Sequence, residues 1–239
     1  MTQPFIVMGA NEGVGGKLAQ LLEDDNFDTF LTAQDAGTLS SFKGQKHALN
    51  VMDSDAVKDV ISAADQGEGI KGLSYCIGSI KLKPFGRLDL NEDILETFHL
   101  NVTGAIAALQ AAEKGLKKAN GSVVLFSTVA VQQGFSNHGA ISSAKGAIEG
   151  LTRALAAEWA PKVRVNCIAP SLLDTGIAKP LTSSEQMAKG IAAMHPIPRL
   201  GEAEDVAHMA HYLLSDNASW VTGQIFHIDG GRSSLRVKG

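Results

Sequence analysis

The sequence predicts an α/β fold, a single domain built on a doubly wound parallel sheet of about seven strands with helices on both faces. Three observations predict it. Short β-like runs alternate with longer stretches of helical periodicity from one end of the chain to the other. The first run leads directly into a glycine cluster that opens a helical pattern. The 239 residues, 44 % hydrophobic and 19 % charged, suit one large core. No internal repeat, low-complexity tract or Pro/Gly/Ser linker divides them, so residues 1–239 are read as one domain.

The elements follow in order. A wholly apolar strand over Phe5–Met8 precedes a helix over Gly15–Leu22, and a second strand covers Thr29–Ala33. His47–Asn50 is read as a third strand, Asp55–Ala64 as a helix and Gly72–Ile77 as a fourth strand. A long helical pattern spans Asn91–Lys117 before the strand Ser122–Ser127. The helix His138–Trp159 shows apolar residues at helical spacing in Ile148, Leu151, Leu155 and Trp159. This apolar stripe fits burial in the core and burial between subunits equally well. Arg164–Ile168 and Gln224–Ile228 complete the strands, with a helix over Glu202–Leu214 between them. Residues 176–198 have weak periodicity and scattered prolines, which suggests a mobile insertion near a site.

Bulk properties exclude several function classes. No apolar run approaches the roughly 18 residues of a membrane span. The apolar stretch after Met1 is only Phe5-Ile6-Val7-Met8, with no basic residues before it and no small-residue cleavage site after it, so a cytoplasmic protein without a membrane partner is expected. Cys76 and Cys167 lie apart in strand-like segments, which implies buried free thiols and neither a disulfide framework nor a metal site. With 21 basic and 25 acidic residues, net charge −4 and no basic cluster except Arg232–Lys238, nucleic acid is not an expected partner.

The first strand ends in Gly9-Ala10-Asn11-Glu12-Gly13-Val14-Gly15-Gly16. Glycines let a backbone turn tightly and approach a pyrophosphate, whose charge sits against the N–H groups and positive dipole end of the following helix. At the first βα unit of an alternating chain, this turn marks a Rossmann-type dinucleotide site. Its spacing is Gly-x-x-x-Gly-x-Gly. Downstream lie Asn50-Val51 followed by Asp53, Ile77-Gly78, Asn101-Val102-Thr103-Gly104, Ile141-Ser142-Ser143-Ala144-Lys145, Arg164 through Ser171, Thr175, and Asp229-Gly230-Gly231. In this order and over nearly the whole chain, these segments resemble the short-chain dehydrogenase/reductase family.

The resemblance implies an oxidoreductase that transfers hydride between a nicotinamide cofactor and a small carbonyl or alcohol. It assigns cofactor contacts to Gly9, Asn11, Glu12, Gly13, Val14, Gly15, Gln34, Asn50, Val51, Gly78, Lys145, Pro170, Leu173 and Thr175. Asn101 matches the family's active-site asparagine, which helps hold a water beside the lysine. Thr128 falls at the serine position, with Ser127 as the runner-up, and Lys145 at the lysine. Two departures stand out. Tyr75-Cys76 replace the family's asparagine pair, so that pair's sheet-to-helix hydrogen bonds are not carried over. Ile141 occupies the place of the proton-moving tyrosine, four residues before Lys145 and hence on the same helical face.

Loss of a positioned acid typically removes about 10²–10⁴ in rate. His138, three residues before Ile141, and a water held by Lys145 and Asn101 are the two candidate replacements. A catalytically inactive NAD(P)-binding protein with a sensing or structural role is the competing expectation. The cofactor is NAD or NADP, and the balance favours NAD. Glu12 would repel a 2′-phosphate, and Ala33-Gln34-Asp35 supplies no cation to balance one. The substrate pocket is expected from Ile80–Asp89, Val129–Gly139 and residues 176–198, whose few charges point to a neutral or apolar molecule. Relatives usually form tetramers, so a homo-oligomer is expected.

Overall fold

Seven parallel strands form the sheet: β1 (Phe5–Met8), β2 (Thr29–Ala33), β3 (Gln45–Ala48), β4 (Gly72–Tyr75), β5 (Ser122–Phe126), β6 (Arg164–Pro170) and β7 (Ile225–Ile228). Their spatial order is β3-β2-β1-β4-β5-β6-β7. The computed structural model describes residues 3–236, so Val237 and Lys238 of the expected basic tail lie outside the described residues. The connections from β1 and β4 run in opposite directions across the sheet, which opens a crevice at the carboxyl ends of these two strands. The fold class is therefore the one the alternating pattern implies.

The helices in chain order are α1 (Gly13–Asp24), α2 (Ser54–Asp65), the single turn α3 (Glu96–Phe98), α4 (Gly104–Ala119), the short α5 (Ala130–Gln133), α6 (Gly139–Trp159), α7 (Glu185–Ala192) and α8 (Ala203–Leu214). Two apolar layers hold them to the sheet. One packs α2, α4 and α6 through Val57, Ile61, Leu109, Leu116, Ile148 and Trp159 against Ile6, Leu73, Val123 and Val165. The other packs α1 and α8 through Leu18, Leu22, Val206 and Leu213 against Phe5, Val7, Leu31 and Ile168. The stripe on α6 thus faces the core, with Leu151 and Leu155 packed at its margin.

Several boundaries move, most of them at the carboxyl edge of the sheet. β3 begins two residues earlier than expected, which leaves Asn50 and Val51 in the turn before α2. Asp53 caps that helix, accepting from the amides of Asp55 and Ala56 at 3.0 Å each. β4 stops at Tyr75; the Cys76 amide donates to the Met8 carbonyl at 2.9 Å, and Ile77 and Gly78 then leave the ladder. β6 runs on to Pro170 because β7 pairs with it that far. Residues 176–198 are not a structureless insertion. They hold a 3-10 turn over Gly176–Leu181 and then α7, capped by Ser184.

The helix expected over Asn91–Lys117 starts as two wide π-helical turns, Leu90–Leu95 and His99–Thr103, which flank α3 and lead into α4. Side chains engage carbonyls within this stretch. The Thr97 hydroxyl donates to the Asp93 carbonyl at 2.5 Å, and the Asn101 amide donates to the Thr97 carbonyl at 2.9 Å. Tyr75, at the asparagine-pair position, donates its hydroxyl to the Leu100 carbonyl at 2.7 Å and so restores a sheet-to-helix bond. Gly104 makes room for it, since a Cβ there would lie 2.5 Å from the Tyr75 hydroxyl.

Tyr75→Phe should therefore lower stability by about 1–2 kcal/mol in urea unfolding, as the Leu100 carbonyl loses its partner. Gly104→Ala should cost more, and that extra loss should shrink in a Tyr75→Phe background. Equal losses in both backgrounds would rule out the contact.

Candidate active site

A single cavity of about 1290 Å³ runs along the carboxyl ends of the central strands. It exceeds the roughly 300–1,000 Å³ of ordinary small-molecule pockets, so it has room for a dinucleotide and a second molecule. At one end the chain leaves β1 through Gly9 and Gly13, both in the left-handed region at φ +82° and +56°. A Cβ on Gly15 would lie 2.1 Å from the Gly9 carbonyl oxygen, so only glycine lets α1 start this close to the strand. Glu12 at the N-cap makes no side-chain capping bond, which leaves the first-turn N–H groups of α1 open toward an anion. Gly9, Asn11, Glu12, Gly13 and Val14 line the cavity. Gly15 does not; its part is the close packing beneath Gly9.

Next to this turn lie Gln34, Asp35, Thr38, Asn50, Val51 and Met52. The Asp35 carboxylate accepts from the Gly37 amide at 2.8 Å. Among the described residues, Lys145 and Arg232 are the only lysine and arginine on the cavity wall, and neither belongs to this group. The chemistry of this end suits an uncharged ribose. The glycine turn and the open helix start fit a dinucleotide pyrophosphate.

At the other end, Gly78, Thr128, His138, Ile141, Lys145, Pro170, Leu173 and Thr175 share the wall. Ile141 is buried beside Lys145 on the same face of α6. Asn101 stands behind the wall. A Cβ on Gly78 would lie 2.9 Å from its Oδ1 and 3.3 Å from Lys145 Nζ, so only a glycine fits between the wall and these two polar atoms. Asn101 Oδ1 is buried without a hydrogen-bond partner among the described residues. Such an atom calls for a water or a ligand.

Two expectations change here. The Ser127 hydroxyl, although its residue lines the cavity, donates to Glu149 Oε1 at 2.7 Å, so its proton is already committed. Thr128, half-buried, uses its hydroxyl oxygen only to accept from the Ala130 amide at 3.3 Å and keeps its proton free. His138 sits at the N-cap of α6 with Nδ1 2.8 Å from the Ser136 carbonyl, toward which it must donate. A neutral His138 thus has no N–H left for a ligand.

The substrate-side wall joins Ile80, Leu82, Phe135, Leu181, Met187, Ile191 and Met194 to Ser171 and Arg232. The turn carrying Ile80 and Leu82 is held by Asp93, paired to Lys83 at 2.5 Å and Lys81 at 3.4 Å. These lysines, with the Asp89 amide, hold its carboxyl down at about 2. Asp35 adjoins Gln34 and was within reach of sequence reasoning. Arg232 was not, because the turn after β7 brings it back from the far end of the chain.

A family model described as enoyl-(acyl carrier protein) reductase matches residues 9–233. The chain belongs to the short-chain dehydrogenase/reductase family. An uncharacterized oxidoreductase of Mycobacterium tuberculosis is 29% identical over 242 residues, covering 95% of this chain and 96% of that protein. A short-chain type dehydrogenase/reductase from Mycobacterium ulcerans superposes with TM-score 0.91 at 28% identity, covering 98% of this chain and 90% of that one. A protein from Beutenbergia cavernae, described as an NAD(P)-dependent gluconate 5-dehydrogenase and solved with bound NADP, gives TM-score 0.90 at 25% identity, covering 98% and 97%.

Within this short-chain dehydrogenase/reductase scaffold, Lys145 is the electrostatic centre. Burial lowers its pKa from 10.5 to about 8, against a weak opposing influence of the Cys167 and Cys76 thiols. Those thiols are themselves pushed up to about 12 by burial. Cys167 is fully buried, whereas Cys76 is half-buried and lines the cavity. Between about pH 8 and 10.5 the unfolded chain keeps a proton on residue 145 that the folded chain has lost, so rising pH should favour folding. Cofactor-free protein should gain up to about 3 kcal/mol relative to Lys145→Met across this window, read by denaturant unfolding at successive pH values. A flat difference would mean that the ammonium is solvated.

Proposed function

We propose that the protein is an NAD(P)-dependent oxidoreductase acting on a small carbonyl or alcohol, with an active site in which an ammonium replaces the usual phenol. The observation that carries this reading is one continuous cavity. It has a glycine turn suited to an anion at one end and, at the other, Lys145 and Thr128 on the wall, with the buried, unpartnered oxygen of Asn101 behind Gly78. The nicotinamide supplies or accepts the hydride when bound. Gly9, Gly13 and the start of α1 hold its pyrophosphate, and Lys145 fixes the reacting end.

Thr128 donates a hydrogen bond to the substrate oxygen and orients it. The proton then has two possible sources. His138 is set aside as a neutral donor by its bond to Ser136. Lys145 remains, directly or through a water shared with Asn101 Oδ1. Its depressed pKa makes it a stronger acid than an ordinary lysine, still largely protonated at neutral pH. Glu12 and Asp35, with no lysine or arginine beside them on the wall, favour NAD over a cofactor carrying a 2′-phosphate.

Titration with NADH and NADPH should give tighter binding of NADH, and a panel of carbonyls should reveal turnover followed at 340 nm, the usual nicotinamide signal. Lys145→Met should lower kcat by about 10²-fold or more. Reduction by the native protein should fall about tenfold per pH unit above about pH 8, as the ammonium loses its proton.

The buried isoleucine favours a second reading, a protein that binds the nucleotide for sensing or structural purposes without chemistry. That reading takes over if the native protein binds cofactor without turnover while Ile141→Tyr creates it.

A further inference from the structure

Arg232 is a guanidinium for which the protein supplies weak partners. Its backbone is pinned on both sides. The Arg232 carbonyl accepts from Gln133 Nε2 at 2.8 Å, and the Asp229 carboxylate clamps the turn by accepting from the amides of Gly231 at 2.9 Å and Ser233 at 2.8 Å. Asp229 is thereby satisfied by backbone, and among the described residues no carboxylate lies within 4.0 Å of the guanidinium. The side chain rests over the Phe135 ring at 4.7 Å. Its two polar contacts are long or soft: Nη1 to Ser171 Oγ at 3.4 Å and Nη2 to Met194 Sδ at 3.4 Å. Five N–H donors with this little to bind, at a partly buried position, are under-satisfied.

The neighbouring pair sets the orientation. His195 is buried, and its Nδ1 lies 2.9 Å from the Ile191 carbonyl, to which it must donate. Its Nε2 therefore accepts the Ser171 hydroxyl proton at 2.8 Å. With that proton committed, Ser171 turns its lone pairs toward Arg232. The Ser171 hydroxyl oxygen contacts the arginine, which lines the cavity with Ile191, Met194 and Leu181; Glu96, His138 and Lys145 are further titratable groups of this end.

We propose that Arg232 anchors an oxyanion of the substrate. On the oxidoreductase reading above, the substrate class is then a carbonyl or hydroxy compound that bears a carboxylate, or an equivalent oxoacid group, away from its reacting carbon. A planar guanidinium fork matches two carboxylate oxygens, and the Phe135 ring, 4.7 Å away, restricts where that fork can lie. The expectation of a neutral substrate came from three segments that do not include residue 232. The folded chain brings this cation to the cavity wall.

The test is a homologous series of oxo acids, each paired with its methyl ester, reduced by the native protein, Arg232→Gln and Arg232→Lys. The native protein should prefer acid to ester in kcat/KM by about 10–100-fold, the range of a charge-assisted hydrogen-bonded contact. That ratio should collapse toward one in Arg232→Gln through KM, and Arg232→Lys should keep part of it. Equal use of acid and ester, or an unchanged ratio in Arg232→Gln, overturns the proposal. If neither compound is turned over, the oxidoreductase reading fails by itself. The anchor is then decided by calorimetric titration of a short monocarboxylate and its neutral amide into the cofactor-saturated protein. Binding of the acid that Arg232→Gln abolishes supports the anchor, and indistinguishable acid and amide sink it. Loss of cofactor affinity in Arg232→Gln with acid binding intact would assign the arginine to the cofactor instead.

Discussion

The carbonyl oxygen of Gly9 lies where any Cβ on residue 15 would stand, and this close approach of α1 to β1 sets the geometry of the site. Because the helix begins almost against the strand end, its open N–H groups face the crevice where the connections of β1 and β4 diverge. A side chain at position 15 would push α1 outward and carry the anion-binding end with it. The opposite end is under the same kind of steric control. Gly78 leaves the space that Asn101 Oδ1 and Lys145 Nζ need on one side of it, and Gly104 lets Tyr75 reach the π-helical turn that carries Asn101. Three glycines at contacts too close for a methyl group thus define both ends of one cavity.

The second constraint is charge. Lys145 is buried with no carboxylate within 4.0 Å among the described residues, and its lowered pKa records the free energy that this burial opposes. A fold keeps such a group only if something outside the stability of the free chain is served. A hydrogen bond to the ribose of a bound nucleotide, together with a readily released proton, would serve it. Ile141 sharpens the point. Buried one turn before Lys145 on the same face of α6, it adds to the apolar surroundings of the ammonium and offers that group no polar partner.

The alternation of apolar runs and helical periods located all seven strands and the main helices, because the central strands are buried on both faces and each main helix has one apolar stripe. Boundaries at the carboxyl edge were less legible. Tyr75-Cys76-Ile77 reads as a continuing strand, yet the ladder ends where Met8 offers its last carbonyl. Residues 176–198 looked irregular because the two short helices there bury little. Of the candidate site, the glycine turn follows from its place in the first βα unit, while Thr128, Ile141 and Lys145 are positions that the family resemblance implies. Ser171, His195 and Arg232 meet only through tertiary folding, across separations of 24 and 61 residues, and no local pattern announces them.

The two cations on the cavity wall are treated differently by the fold, and the difference bears on specificity. Lys145 has been stripped of water and of acidic partners, which tunes its proton. Arg232 keeps its charge at any accessible pH, is partly solvated, and lies over an aromatic ring beside a serine whose own proton goes to a buried histidine. A mobile lysine at position 232 could shed its charge or swing into solvent; a stacked guanidinium can do neither. On the proposed reading one cation would serve proton transfer and the other recognition, with Ile191, Met194 and Leu181 on the wall to select the rest of a ligand by shape.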